Sequence, residues 1–261
     1  MKRKTLFGLT AAALLTACGG SGRQAVPDFD EVKVERTVSI SGEKDAPQCH
    51  VMLSILQASD TTGEAARRIN EAVVGQLFYM EELSVRAAAD SFANSYTRDY
   101  VRNIGQLYRD DRGDESKRPW YEYRYVITTE VVHLREATTC YKTTLEYYEG
   151  GAHGIRQLLT QNFDDATGRK VTLRDILVDG YEQPLSDILL GKLLEKTGAK
   201  DMAQLHERGF LYSMDMYPSE NYILSDDGVT FVYNPYEIAP YSEGMIELNV
   251  GKDELNELLK T

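Results

Sequence analysis

The sequence predicts an α+β fold: antiparallel sheets with helices packed on one face, in two intertwined subdomains. Three observations carry this expectation. Strand-like and helix-like stretches come in separate groups instead of alternating one by one. Several strand-like stretches are joined by Gly- and Asp-containing turns that suit hairpins. The helix-like stretches repeat their apolar residues at helical spacing.

Taken in order, EVKVERTVSI alternates cleanly, with Val32, Val34, Val38 and Ile40 on one face. CHVMLSILQ follows with Cys49, Val51, Leu53 and Ile55 together, so both read as strands. Thr61-Thr62-Gly63-Glu64 opens a helix that carries Ile69, Val73, Leu77 and Met80. A second helix is expected from about Ser84 to Tyr108, with Ala87, Ala88 and Ala93 giving it a small face for close packing. The charged DDRGDESKRP is a loop, and WYEYRYVITTEVVHL, from Trp120, is the strongest strand signal in the chain.

TTCYKTTLEYY and IRQLLTQNF read as the two strands of a hairpin, with YEGGAHG as its connection. Asp165-Ala166-Thr167-Gly168 forms a turn, and Thr172 to Asp175 resembles a capping box. Leu185, Ile188, Leu189, Leu193 and Leu194 line a helix from Pro184 to Lys196, which Gly198 is placed to end. YILSDDGVTFVYN is a hairpin turning at Asp226-Asp227-Gly228. NPYEIAPYSEG is a loop, MIELNV a strand, and KDELNELLK a short terminal helix.

The ends and the charge limit where such a fold works. MKRK followed by a short apolar run has the layout of a secretory signal over residues 1–17, too short for a span of roughly 20 residues. Leu15-Thr16-Ala17-Cys18 resembles the lipobox of bacterial lipoproteins. That resemblance implies lipidation of Cys18, a flexible tether over residues 18–30, and a membrane-anchored protein of the bacterial envelope, periplasmic or surface-exposed. Losing Lys2, Arg3 and Lys4 with the signal moves the formal net charge from −12 to −15. Such a surface repels nucleic acid and suits a basic partner. Two cysteines remain, Cys49 and Cys140; a single disulfide and two buried thiols both satisfy that count.

Few residues point to chemistry. GxSxG, HExxH, GxxxxGK[ST] and GxGxxG patterns are absent. Ser41-Gly42-Glu43-Lys44 matches SxxK but lies in a turn, and Lys196-Thr197-Gly198 matches KTG but ends a helix; a penicillin-binding enzyme needs the opposite contexts. Neither a metal nor a cofactor is expected. His153 stands in YYEGGAHG between residues that allow unusual backbone angles, with Glu149 as its one nearby acid. Tyrosines outnumber tryptophan 17 to 1 and cluster at 121/123/125, 147/148 and 236/241, which suits contacts with sugars or protein partners.

Three stretches in series carry a family resemblance: LEYYEGGAHG, QNFDDATGRKVTLRDIL and VTFVYNPYEIAPYSEG. They resemble a bacterial extracytoplasmic domain family of unknown function. It is found at the C-terminus of anti-sigma-V-factor type lysozyme sensors and beside polysaccharide deacetylase domains. The resemblance implies an N-terminal subdomain over 31–135, like that of the sensors, and a C-terminal one over 136–261 carrying the GGAHG and YEIAPY motifs. It also implies a binding or sensing module without catalytic activity, its ligand a peptidoglycan glycan or a basic, wall-associated lysozyme-like protein. The expected ligand-binding residues are Tyr147, Tyr148, Gly150, Gly151, His153, Gly154, Tyr236, Glu237 and Tyr241. The rival expectations are a wall-active hydrolase with His153 as general base, assisted by Glu149 or Glu237, and a structural envelope scaffold.

Overall fold

A computed structural model of the chain describes residues 27–59 and 63–260. The signal segment, Cys18 and most of the expected tether lie outside those residues.

The fold is α+β, with a five-stranded sheet and a three-stranded one. Strands β1 (Phe29–Ser39) and β2 (Gln48–Ala58) form an antiparallel hairpin. Helices α1 (Glu64–Phe78) and α2 (Val85–Asp99) follow; a π-helical turn over Tyr100–Ile104 leads into α3 (Gly105–Asp110). A 3-10 turn, Arg118–Tyr121, then delivers β3 (Tyr123–Arg135), which joins β4 (Thr138–Tyr148) and β5 (Ile155–Asp164) in antiparallel order. The sheet order is β1-β2-β3-β4-β5.

One pairing departs from the antiparallel expectation. β2 and β3 run parallel, because the helices between them carry the chain back to the start of the sheet before β3 begins. The expected long second helix is also divided at the π-helical turn.

The first core lies between this sheet and α1/α2. Val32, Val34, Val51, Leu53, Ile55 and Ile127 meet Ile69, Val73, Val74 and Phe78, with Ala88, Ala89 and Ala93 of α2 fully buried. Ala87, expected on that small face, is exposed; its backbone N–H caps onto Ser84. At roughly 25 cal/mol per Å² of apolar surface removed from water, this packing is the main stabilising term.

After β5 come α4 (Leu173–Ile176), α5 (Glu182–Thr197) and α6 (Met202–Glu207). The antiparallel sheet β6 (Tyr222–Ser225), β7 (Gly228–Tyr233) and β8 (Ile246–Gly251) follows, and then α7 (Lys252–Leu255). Their core is separate: Leu185, Leu189 and Leu193 of α5 pack with Phe231, Tyr233, Leu248 and Val250. The 135/136 boundary falls inside the β3–β4 hairpin, whereas the two cores divide between Phe163 and Leu173.

The small sheet docks on β5 through asparagine side chains. Leu158 N–H donates to Asn234 Oδ1 at 2.8 Å, and Leu158 O accepts from the amides of Asn234 at 3.0 Å and Asn221 at 2.6 Å. Asn162 does the reverse, reaching Tyr222 O at 2.8 Å and Leu224 N–H at 3.2 Å.

Cys49 and Cys140 are free and buried, so the disulfide alternative fails. Cys49 is level with Tyr123 on β3 and Cys140 with Val132. At about 3.3 Å per residue they sit roughly 30 Å apart along the strands, while a disulfide needs Cα atoms within about 7 Å. They also face opposite sides of the sheet: Cys49 joins the core under the helices, and Cys140 is next to inward-facing Tyr141.

Two expected outcomes follow from the buried thiols. In a chain carrying Cys18→Ser, a thiol reagent at neutral pH should find no reactive cysteine in the folded protein and two after denaturation; a native stoichiometry above zero would contradict their burial. Burial also pushes both thiols up to about 12, whereas a solvated thiol titrates at about 8.5. Above the lower value the unfolded chain binds fewer protons than the folded one. Their contribution is therefore complete below it and is lost as pH rises toward about 12. Denaturant melts across that window should show falling stability, less steeply in a Cys49→Ala/Cys140→Ala chain.

Candidate functional site

The β4–β5 connection is shaped by close backbone approach. Gly150 and Gly151 have φ of +83° and +95°, a region that side chains with a Cβ adopt at a cost. A Cβ on Gly150 would lie 2.6 Å from Trp120 O, whereas one on Gly151 would meet nothing within 4 Å. Gly154 has an ordinary φ, and its requirement is steric: a Cβ there would lie 2.9 Å from Tyr147 O. Two side chains brace the turn. Tyr148 OH donates to Gly151 O at 3.0 Å, and Tyr96 OH of α2 donates to Glu149 at 2.6 Å.

His153 projects from this turn onto the second layer. Its ring stacks on Tyr241 with centroids 3.8 Å apart and planes at 15°, and Tyr236 stands 6.3 Å away at 26°. Its Nδ1 lies 3.0 Å from Gly154 O, which also accepts from Tyr241 OH at 2.8 Å. A carbonyl only accepts, so the neutral ring carries its proton on Nδ1. Nε2 then accepts from Tyr236 OH at 3.2 Å.

Tyr236 is held in an unusual backbone state. Glu237 N–H donates to Asn234 O at 3.0 Å, closing a turn with Pro235 second and Tyr236 third. The third residue has φ +71°, where such turns ordinarily place glycine. The residue is 59% exposed. Glu237 stabilises the turn: its carboxylate accepts from Asn234 N–H at 2.8 Å and from Tyr217 OH at 2.8 Å. Burial and that carboxylate push the Tyr217 hydroxyl well above the usual phenol range.

The structure thus brings Tyr148, Gly151, His153, Gly154, Tyr236 and Tyr241 together. Three expected residues lie elsewhere, Gly150 being packed against Trp120 O. The Tyr147 ring stacks on Tyr125 (5.8 Å, 21°) on the helix side of the sheet, and Glu237 is committed to its turn. The acids foreseen as partners for His153 already accept hydroxyl protons from Tyr96 and Tyr217. Among the described residues no group of three His, Cys, Asp or Glu is placed to hold a metal.

A groove adjoins the stack. A cavity of about 560 Å³ runs between the outer face of β3–β5 and the loop before β8, lined by Glu130, Lys142, Thr144, Arg156, Gln157 and Tyr241. A second, of about 250 Å³, shares Arg156 and Tyr241 with it and adds Arg124, Tyr148 and Gly154. Its charges are paired across strands: Lys142 with Glu130 at 2.5 Å, and Arg156 with Glu146 at 3.3 Å. Sequence reasoning missed these residues. Their only signal was polar alternation on β3–β5, and the register was needed to see that Glu130, Lys142, Thr144 and Arg156 share a face.

Residues 174–253 match the DUF3298 family model. That family is described as a protein of unknown function. The DUF3298 match spans α4 to α7 and so contains Tyr236 and Tyr241; His153 and its turn precede it. No curated protein matches the chain. Among solved structures, a DUF3298 family member from Bacteroides fragilis NCTC 9343 superposes with a TM-score of 0.81 at 24% identity, over 92% of this chain and 96% of that one. A DUF3298 family protein from Pseudomonas aeruginosa PAO1 gives 0.64 at 20% identity, over 92% and 97%. These likenesses are of fold.

The two glycines separate steric clash from backbone strain. Gly151→Ala should cost about 1 kcal/mol for its positive φ. Gly150→Ala adds the clash with Trp120 O and should cost at least ~1 kcal/mol more. Equal shifts in urea midpoint for the two variants would contradict this geometry.

Proposed function

We propose that the protein is a binding module of the bacterial envelope, tethered by lipid at Cys18, whose His153–Tyr241–Tyr236 stack and adjoining groove hold a cell-wall glycan. The observation that carries this reading is the stack itself: three rings from two layers, with Tyr241 stacked on His153 and Tyr236 OH hydrogen-bonded to it, at the edge of a groove. Aromatic faces present flat apolar surface with polar tips, which matches the mixed faces of a sugar ring. The paired Glu130–Lys142 and Glu146–Arg156 side chains offer donors and acceptors to hydroxyls without leaving a large net field.

The net charge favours a second reading, in which the ligand is a basic lysozyme-like protein. The motif resemblance to lysozyme sensors and to domains beside deacetylases agrees with either ligand. For His153 as a general base, no carboxylate among the described residues is a hydrogen-bond partner.

Binding of muramidase-digested peptidoglycan fragments, followed by calorimetry, tests the proposal. Tyr241→Ala and His153→Ala should each weaken binding about tenfold, or ~1.4 kcal/mol, while His206→Ala on α6 leaves it unchanged. Salt-sensitive retention of lysozyme without fragment binding would favour the protein ligand. Fragment turnover that His153→Ala abolishes would favour the hydrolase. Retention of neither ligand at low salt would end both binding readings.

A further inference from the structure

The chain's sole tryptophan is 52% exposed. Tryptophan is highly buried on average, but one exposed apolar side chain needs no explanation by itself. Trp120 differs in how its backbone is held and in what it adjoins. Next to it, Tyr121 is buried, sets its ring edge-on to Tyr108 at 5.3 Å, and donates its hydroxyl to Asp111 at 2.6 Å. Tyr121 O accepts from Tyr100 OH at 2.8 Å, and the Glu122 carboxylate accepts from Gln48 N–H at 2.9 Å. The segment is therefore pinned on the C-terminal side of Trp120 while Trp120 itself stays half-exposed.

The Trp120 carbonyl is the atom that a Cβ on Gly150 would strike, so this residue sits directly against the turn that carries His153. Four residues on, Arg124 pairs with Tyr148 and lines the smaller cavity. Trp120 and the His153–Tyr241–Tyr236 stack thus both adjoin the 149–154 turn.

We propose that Trp120 is a second stacking position of this ligand site, for a saccharide chain long enough to cover both sides of the turn. This rests on the glycan reading above. With its flanking backbone pinned, Trp120 has only two side-chain torsions to order when a ligand covers it, the condition under which an exposed aromatic contributes most to affinity.

Because Trp120 is the only tryptophan, its emission reports this position alone. The probe is the β-1,4-linked tetramer of N-acetylglucosamine, titrated into the full chain with Cys18→Ser and followed by fluorescence and calorimetry. Saturable emission change is expected, with Kd raised about tenfold in Trp120→Ala and largely restored in Trp120→Phe. The monomeric sugar should bind the parent and Trp120→Ala equally. Unchanged thermal midpoints would show that both variants fold. Calorimetric binding of the tetramer with silent emission, or with equal Kd in Trp120→Ala, overturns this inference and leaves the glycan reading standing. No binding of the tetramer or of peptidoglycan fragments, or retention of lysozyme alone, overturns both.

Discussion

The candidate site depends on an amide junction. β5 is an edge strand of the large sheet, and an edge exposes backbone donors and acceptors that must find partners. At Leu158 those partners are the side chains of Asn234 and Asn221; at Asn162 the strand offers its own amide to the backbone of β6. Each such bond contributes about 0.5–1.5 kcal/mol net, and one left unmade in a buried place costs about 1–3 kcal/mol. The greater consequence is geometric. An amide that both donates to and accepts from one residue's backbone admits one register, so the small sheet can sit on the large one in a single way. Asn234 directly precedes Pro235 and Tyr236, and the same bonds therefore set where Tyr236 and Tyr241 stand relative to His153.

The strain around that stack fits this arrangement. A left-handed conformation at a residue with a Cβ costs about 1–2 kcal/mol, and Tyr236 adopts one while staying largely exposed. Its neighbours make this tenable: Glu237 closes the turn through backbone and carboxylate, and Tyr217 fixes the carboxylate. Strain kept in place by such surrounding bonds clusters at functional positions. The arrangement of polar residues in YEIAPY is thus divided in purpose. Glu237 builds the turn, and Tyr236 and Tyr241 are what the turn displays.

Much of the architecture was legible because period-2 and period-3.6 patterns report burial directly. Val32/Val34 and Cys49/Val51/Leu53/Ile55 face the core as their alternation predicts. Pattern does not report strand direction, so the parallel β2–β3 pair was invisible: it is a product of the helical crossover between them. Nor does it report register. Tyr147 and Tyr148 are adjacent in sequence, yet pleating sends one ring to Tyr125 on the helix side and the other to the turn. The same limit hid the groove, whose residues come from three strands, and left open whether Cys49 and Cys140 could meet. Glycines were easier to notice than to interpret, since Gly150 is required by Trp120 and Gly154 by Tyr147, contacts made at a distance in sequence.

Topology adds a last constraint on the proposed role. β1 begins at Phe29 opposite Ala58, the far end of β2. The parallel pairing carries that level toward the Arg135 end of β3, whereas Tyr123, Tyr148 and the 149–154 turn occupy the other end. β2 has 11 residues, and at about 3.3 Å each the two ends are separated by ~35 Å. The described chain therefore begins at one end of the large sheet, and the aromatic stack lies at the other. Under the proposed anchoring at Cys18, a tether joined there would leave the stack at the end of the large sheet remote from it. That placement suits the proposed glycan ligand better than it would suit a site meant for the lipid surface.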